Sequence, residues 1–167
     1  MLLLKELPTP ESLEKFASRY PGTDVRAIAD FVSLLRASAD ISQALDKLLA
    51  RYGLLQGRWW LLVLLLRQDD LTSSPTDLAE KAGVTKASIT GFIDSLEREG
   101  LVLRLPAPGD RRKYLIRLTA AGLQKLDEII PDYNHKIASL MSALSLDERD
   151  DLLTLMKRLV ANLEAMR

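Results

Sequence analysis

Apolar residues recur at three- and four-residue steps along three long stretches of the chain, and this pattern predicts three long amphipathic helices. The stretches cover residues 24–52, 119–144 and 146–165. Pro131 lies inside the second stretch and is expected to bend that helix, because proline lacks a backbone N–H donor. Ser145 and Glu148 have the spacing of a capping box at the start of the third. The three helices present more apolar surface than one small domain covers, so we expect a homodimer.

A shorter stretch, residues 56–67, is apolar on nearly every side and is expected to form a helix deep in the core. Its uninterrupted apolar run covers residues 59–66, whereas a membrane-spanning helix needs about 20 residues. We therefore expect no membrane partner. Trp60 lies in this run and is either packed in the core, which is the commoner situation, or part of a ligand-binding pocket.

Two short helices are predicted between residues 74 and 100. Ser74 can cap the first helix, Asp77 completes a pair that resembles a capping box, and Gly83 ends the helix. Thr85 can cap the second helix, which Gly100 ends. Because only a tight turn separates them, the pair is predicted to be a helix-turn-helix.

A β-hairpin is predicted directly after the helix pair. Its strands are residues 101–105 and 113–118, and its connecting segment carries the adjacent Arg111 and Arg112. A helix-turn-helix followed by a basic hairpin is a winged helix-turn-helix, so the predicted fold is mainly α with a small β-hairpin wing. The predicted regions are an N-terminal arm at 1–22, a winged helix-turn-helix DNA-binding domain at 55–118, and an interlocking helical dimerisation region at 23–54 and 119–167. The arm could pack on its own domain or on a second subunit.

Composition narrows the possible functions. The 167 residues carry a formal net charge of +0, so any binding to nucleic acid must depend on local charge. Residues 86–117 contain seven basic and four acidic residues, a local balance of +3. The chain has no cysteine, which excludes disulfides and thiolate metal sites, and its one histidine, His135, makes a histidine metal cluster implausible. We expect no cofactor, no metal and no enzymatic activity. The apolar start of the chain is too short for a signal peptide, so a cytoplasmic location is expected.

Three motifs occur in order, and together they resemble the MarR family of bacterial transcription regulators. They are Leu96-Glu97-Arg98-Glu99-Gly100-Leu101-Val102, Pro108-Gly109-Asp110-Arg111-Arg112 and Leu118-Thr119-Ala120-Ala121-Gly122. The resemblance implies a homodimer whose terminal helices interlock. It also implies a palindromic operator, repression, and release from DNA by a small aromatic or phenolic acid as effector.

This chain departs from the family pattern at four positions. Leu55 and Arg58 stand where the family commonly has threonine and glutamine. On the second helix of the pair, Gly91 and Ser95 stand where many relatives carry arginine, which removes two possible DNA contacts.

The candidate DNA-binding residues lie on the helix pair and the wing. They are Ser74, Thr76, Lys86, Ala87, Ser88, Thr90, Gly91, Asp110, Arg111, Arg112 and Lys113. A recognition helix reads base edges with its N-terminal residues. Lys86 can reach a guanine edge or a phosphate, and Ser88 and Thr90 can hydrogen bond to either. Ala87 can touch a thymine methyl group, and Gly91 permits close backbone approach.

The remaining candidates are expected to contact the DNA backbone or the minor groove. Arg111 and Arg112 fit minor-groove insertion, and Lys113 fits a phosphate contact. The family resemblance implies that Asp110 orients Arg112. Ser74 and Thr76 either hold a phosphate at a helix N-terminus or simply cap the helix. The main alternative function is a winged-helix protein–protein interaction module that does not read DNA.

Overall fold

The computed structural model describes residues 6–107 and 109–166, with only the backbone described at residues 110–112. Its helices are α1 (Pro10–Arg19), α2 (Val25–Ala50), α3 (Gln56–Leu66), α4 (Pro75–Ala82), α5 (Lys86–Arg98), α6 (Ala120–Met141) and α7 (Leu146–Ala161), followed by a 3₁₀ turn, Leu163–Met166. Its strands are β1 (Thr72–Ser73), β2 (Val102–Ala107) and β3 (Asp110–Leu118). The predicted mainly α fold with a β wing is confirmed.

The wing belongs to a three-stranded antiparallel sheet in the order β1-β3-β2. Sequence reasoning missed β1, a two-residue strand in which Thr72 pairs with Arg117. The hairpin strands are also longer than predicted, since β2 continues through Pro106 and β3 begins at Asp110. Pro106 is tolerated because β2 is an edge strand, where no further neighbour needs its missing N–H.

The core lies where α3, α4, α5, α6 and the sheet meet. Its largest fully buried side chains are Trp59, Leu49, Leu54, Leu61, Leu62, Leu65, Leu78, Ile89, Ile93, Leu96, Ile116 and Leu126. The expectation that α3 lies deep in the core is confirmed for one side of the helix, which buries Trp59, Leu61, Leu62 and Leu65. It is wrong for Trp60, which is 40% exposed. At about 100° per residue, Trp60 falls on the side of the helix opposite these four buried residues.

Most of the predicted helix caps are confirmed. Thr85 accepts a hydrogen bond from the backbone N–H of Ser88 at 3.1 Å. Both halves of the capping box between Ser145 and Glu148 are formed. At the start of α4, Ser74 accepts from the N–H of Asp77, but the reciprocal half is not formed. The Asp77 carboxylate instead accepts from the Ser73 hydroxyl at 2.6 Å, and this hydrogen bond lowers its pKa.

The long helices differ from the prediction mainly at their C-terminal ends. Helix α6 ends at Met141 and α7 at Ala161, both earlier than predicted. Helix α6 is continuous through Pro131, and the bend expected there stays a prediction. No residue of α7, which the structure describes throughout, is buried. The predicted division into an arm, a dimerisation region and a DNA-binding domain also stays a prediction.

Candidate nucleic-acid interface

The N-terminus of α4, the first turns of α5 and the middle of β3 border an open groove of about 620 Å³. Its lining residues are Ser74, Pro75, Thr76, Lys86, Ile89, Thr90, Lys113 and Tyr114. Five of these were predicted as DNA-binding residues: Ser74, Thr76, Lys86, Thr90 and Lys113. These five predicted residues, which are up to 39 positions apart in the sequence, therefore meet in one groove.

The α4 side of the groove is a capped helix N-terminus. Ser74 has an extended backbone, and its side-chain oxygen accepts from the N–H of Asp77 at 3.1 Å. Pro75 follows as the first helical residue and has no N–H to satisfy. The positive end of the helix dipole faces outward here, which favours an anion. The capping role of Ser74 is thus confirmed, while phosphate binding by Ser74 and Thr76 stays a prediction.

The α5 side presents the predicted reading residues. Lys86, Ala87, Ser88, Thr90 and Gly91 are all exposed. The hydroxyl of Thr90 donates to the carbonyl oxygen of Lys86 at 2.8 Å. The Ser88 and Thr85 hydroxyl oxygens lie 3.0 Å apart, within hydrogen-bonding distance. Thr90 therefore uses its only donor within the helix, and its oxygen remains an acceptor for base amino groups.

Gly91 is not required by packing. A Cβ atom at this position would meet nothing within 4 Å, so the space beside the recognition helix is open. Ala87 and Ser88 lie outside the lining of the groove, although both share the exposed N-terminal part of α5. The predictions for the Asp110, Arg111 and Arg112 side chains, including the bracing of Arg112 by Asp110, lie outside the described residues.

Arg104 on β2 joins the wing to the recognition helix, a role that sequence reasoning missed. Its guanidinium donates to Asp94 Oδ1 at 2.5 Å and to Glu97 Oε2. It also lies over the ring of Tyr114, with Cζ 5.2 Å from the ring centroid. The hydrogen bond with Asp94 is the largest cause that raises the pKa of Arg104, and one with Tyr114 acts in the same direction. Arg104 was counted in the local positive charge, but two carboxylates of α5 offset it.

Arg58 forms hydrogen bonds at the C-terminal end of the recognition helix. It donates to the carbonyl oxygen of Gly53, to Glu99 Oε1, and to Ser95 Oγ at 3.3 Å. Its side chain is only 19% exposed. The sequence marked Arg58 and Ser95 as departures from the family pattern but did not indicate that they touch. Their 37-residue separation leaves no helical or strand periodicity that could have paired them.

A second groove, of about 420 Å³, lies between the C-terminal halves of α2 and α6. Its walls are mostly apolar, and its cationic residues are Lys47, Arg51 and Lys136. Arg51 forms an ion pair with Asp132, in which Arg51 Nη1 lies 3.4 Å from Asp132 Oδ2. Trp60, the predicted ligand-binding candidate, is not among the lining residues. The prediction that Trp60 is packed in the core is wrong, and a ligand-binding role for Trp60 stays a prediction.

Two kinds of feature are absent from the described part of the chain. No group of three or more His, Cys, Asp or Glu residues within 6–107 and 109–166 could hold a metal ion. In those same ranges no helix has the length and hydrophobicity needed to cross a membrane.

Comparisons with known proteins agree with this geometry. The MarR family model matches residues 54–114. The transcriptional repressor YetL of Bacillus subtilis is 35% identical over 147 residues, which cover 88% of each chain. The regulator MhqR of the same organism is 30% identical, over 79% of this chain and 90% of MhqR. The structure of Sco3205, a MarR family regulator from Streptomyces coelicolor in complex with DNA, has a TM-score of 0.75 at 25% identity and covers 82% of this chain and 88% of that one. The chain therefore belongs to the MarR family of transcriptional regulators.

Proposed function

We propose that this protein is a sequence-specific, homodimeric repressor that binds double-stranded DNA and releases it when a small aromatic or phenolic acid binds. The observation that carries this proposal is the groove beside the recognition helix, where Lys86, Lys113 and the N-terminus of α4 converge. The complex of Sco3205 with DNA supports it, because that regulator has the same fold.

Each part of the groove has a function on DNA. The exposed N-terminal turns of α5 enter the major groove, where Ser88 and Thr90 contact base edges. Lys86 and Lys113 bind phosphates, and the N-terminus of α4 adds backbone dipoles of the same sign. The wing arginines, Arg111 and Arg112, extend into the adjacent minor groove.

The exposed apolar surface of α7 supports dimerisation. Seven large apolar side chains of this helix are between 36% and 73% exposed. They are Leu146, Leu152, Leu153, Leu155, Met156, Leu159 and Val160. A second copy that covers this surface would make a two-fold symmetric reader, which suits a palindromic operator.

The groove between α2 and α6 fits the chemistry of the proposed effector. Its apolar walls, such as Leu45 and Ile137, suit an aromatic ring, and Lys47 or Lys136 can pair with a carboxylate. A ligand here would lie between two helices of the proposed dimerisation region, and could change the separation of the two recognition helices. Titration with hydroxybenzoates tests this, and the double variant Lys47→Met, Lys136→Met should weaken their binding. Equal binding by the wild type and the double variant would place the effector elsewhere.

The test of the proposed function is selection of bound fragments from sheared genomic DNA in the presence of competitor DNA. The wild-type protein should enrich a small set of fragments that share a palindromic sequence. Lys86→Met should enrich them less, while Lys15→Met, which removes the same charge from α1, a helix that does not line the groove, should match the wild type. Failure of the wild type to enrich any sequence would favour the protein–protein interaction module instead.

A further inference from the structure

Tyr114 forms part of the wall of the groove proposed to bind DNA, although sequence reasoning did not select it. It lies on β3 opposite Pro106, in the same groove lining as Ser74, Lys86 and Lys113. Its ring is half-buried and packs against the hydrophobic core, so the ring is held in place from behind.

Arg104 holds the same ring from the neighbouring strand. Its Cζ lies 5.2 Å from the centroid of Tyr114, within the range of a cation–π contact. The guanidinium is itself held by Asp94 Oδ1, at 2.5 Å, and by Glu97 Oε2. One arginine and two carboxylates give this cluster a formal charge of −1. The arginine therefore offers no net positive charge to a phosphate, whereas the neutral phenol beside it is a suitable donor.

We propose that Tyr114 is a DNA-contact residue that donates its phenolic hydrogen to a backbone phosphate, and that Arg104 is the positioning residue that holds its ring. Tyrosine hydroxyls are common partners of phosphate oxygens in protein–DNA interfaces. Arg104 links this contact to the recognition helix, because Asp94 and Glu97 both lie on α5. The proposal rests on the proposed function, since it assigns one contact within the same groove.

The first experiment removes only the phenolic oxygen. Tyr114→Phe removes one hydrogen bond from each protomer. It should weaken binding of the dimer to a mixed-sequence DNA duplex about a hundredfold, about tenfold for each lost hydrogen bond to a charged group. The slope of log affinity against log salt should not change, because tyrosine is neutral and releases no counterion. Tyr133→Phe, the same change on α6 against Trp59, should bind as the wild type does. Wild-type affinity for Tyr114→Phe would contradict the proposal.

The second experiment tests the role of Arg104 through a double-mutant cycle. Arg104→Met should weaken binding about as much as Tyr114→Phe does, and should cost little more in the Tyr114→Phe protein. Arg117→Met is the control for loss of one charge, since Arg117 bonds to Thr72 rather than to α5. Equal losses from Arg104→Met in both backgrounds would show that Arg104 acts independently of Tyr114. Arg104→Lys replaces Arg104→Met if thermal melting shows that the latter does not fold.

These experiments distinguish failure of the proposed function from failure of the Tyr114 contact alone. If the wild-type protein does not bind the duplex at all, the proposed function is wrong. If Lys86→Met weakens binding while Tyr114→Phe does not, the groove binds DNA and only the assignment of Tyr114 is wrong.

Discussion

Gly122 lies so close to Leu101 that a Cβ atom at position 122 would be 2.2 Å from the Leu101 carbonyl oxygen. This contact joins the first turn of α6 to the segment between the recognition helix and β2. Thr119 lies at the same junction, where its hydroxyl contacts the Leu101 carbonyl oxygen at 3.0 Å and accepts from the N–H of Gly122 at 3.0 Å. The glycine of the L-T-x-x-G motif is therefore required by close approach of two backbones.

Gly122→Ala should destabilise the protein by about 3 kcal/mol, because the methyl group would overlap a backbone atom that cannot rotate away. Gly91→Ala is the matched control, since a Cβ atom there meets open space. It should stabilise the helix by about 0.5–1 kcal/mol. Urea denaturation of both variants measures the difference. Equal stability of the two variants would mean that the backbone at this junction can shift to accommodate a methyl group.

The ion pair between Arg58 and Glu99 should contribute measurably to stability, because Arg58 is largely buried and also bonds to Gly53 and Ser95. We expect a coupling energy of about 1 kcal/mol between Arg58→Met and Glu99→Gln in a double-mutant cycle. This coupling energy is measured by chemical denaturation of the wild type, both single variants and the double variant. Additive losses would indicate that Arg58 acts only through Gly53 and Ser95.

Sequence reasoning succeeded where structure depends on near neighbours in the chain. Ser74, Thr85 and Ser145 were predicted as helix caps because a cap and its partner N–H are three residues apart. The five groove residues were found because motif spacing placed them on the recognition helix, on the α4 N-terminus and on the wing.

Sequence reasoning failed where two side chains meet only because the folded chain brings distant segments together. Arg104 pairs with Asp94 across 10 residues, from a strand to a helix, and no local pattern marks the pair. Arg58 and Glu99 are 41 residues apart. Trp59 and Trp60 are adjacent and chemically alike, so only the packing of α3 shows which one is buried.

Dimerisation should depend on the apolar face of α7. Leu159, which is 54% exposed in the isolated chain, should be covered in the dimer. Leu159→Glu should shift the mass measured by light scattering from twice 18.7 kDa toward the single-chain value, because an unpaired buried charge is costly. Thr154→Glu adds the same charge to the same helix at a polar position and should remain dimeric. A wild-type protein that is a clean monomer at micromolar concentration would contradict the dimer proposal.

Base-specific recognition and sequence-independent binding of DNA should be separable by mutation. Arg111→Ala should weaken binding to operator and random DNA alike, by about 1–3 kcal/mol. Ser88→Ala or Thr90→Ala should instead lower the preference for the operator, since both residues lie on the exposed N-terminal part of α5. Asp110→Ala should act like a milder Arg112→Ala if Asp110 orients Arg112. The ratio of operator to random-DNA affinity at one fixed salt concentration measures the difference. A ratio that falls only for Arg111→Ala would reverse the two assignments.

The most direct test of the proposed DNA interface is the salt dependence of operator affinity for the wild type, Lys86→Met and Lys15→Met. Contacts from Lys86, Arg111 and Lys113 in both protomers predict a wild-type slope of log affinity against log salt on the order of −5. Lys86→Met removes one contact per protomer and should make the slope shallower by about 2, while Lys15→Met should leave it unchanged. A wild-type slope near zero with high affinity, or a Lys86→Met slope equal to that of the wild type, would contradict the account.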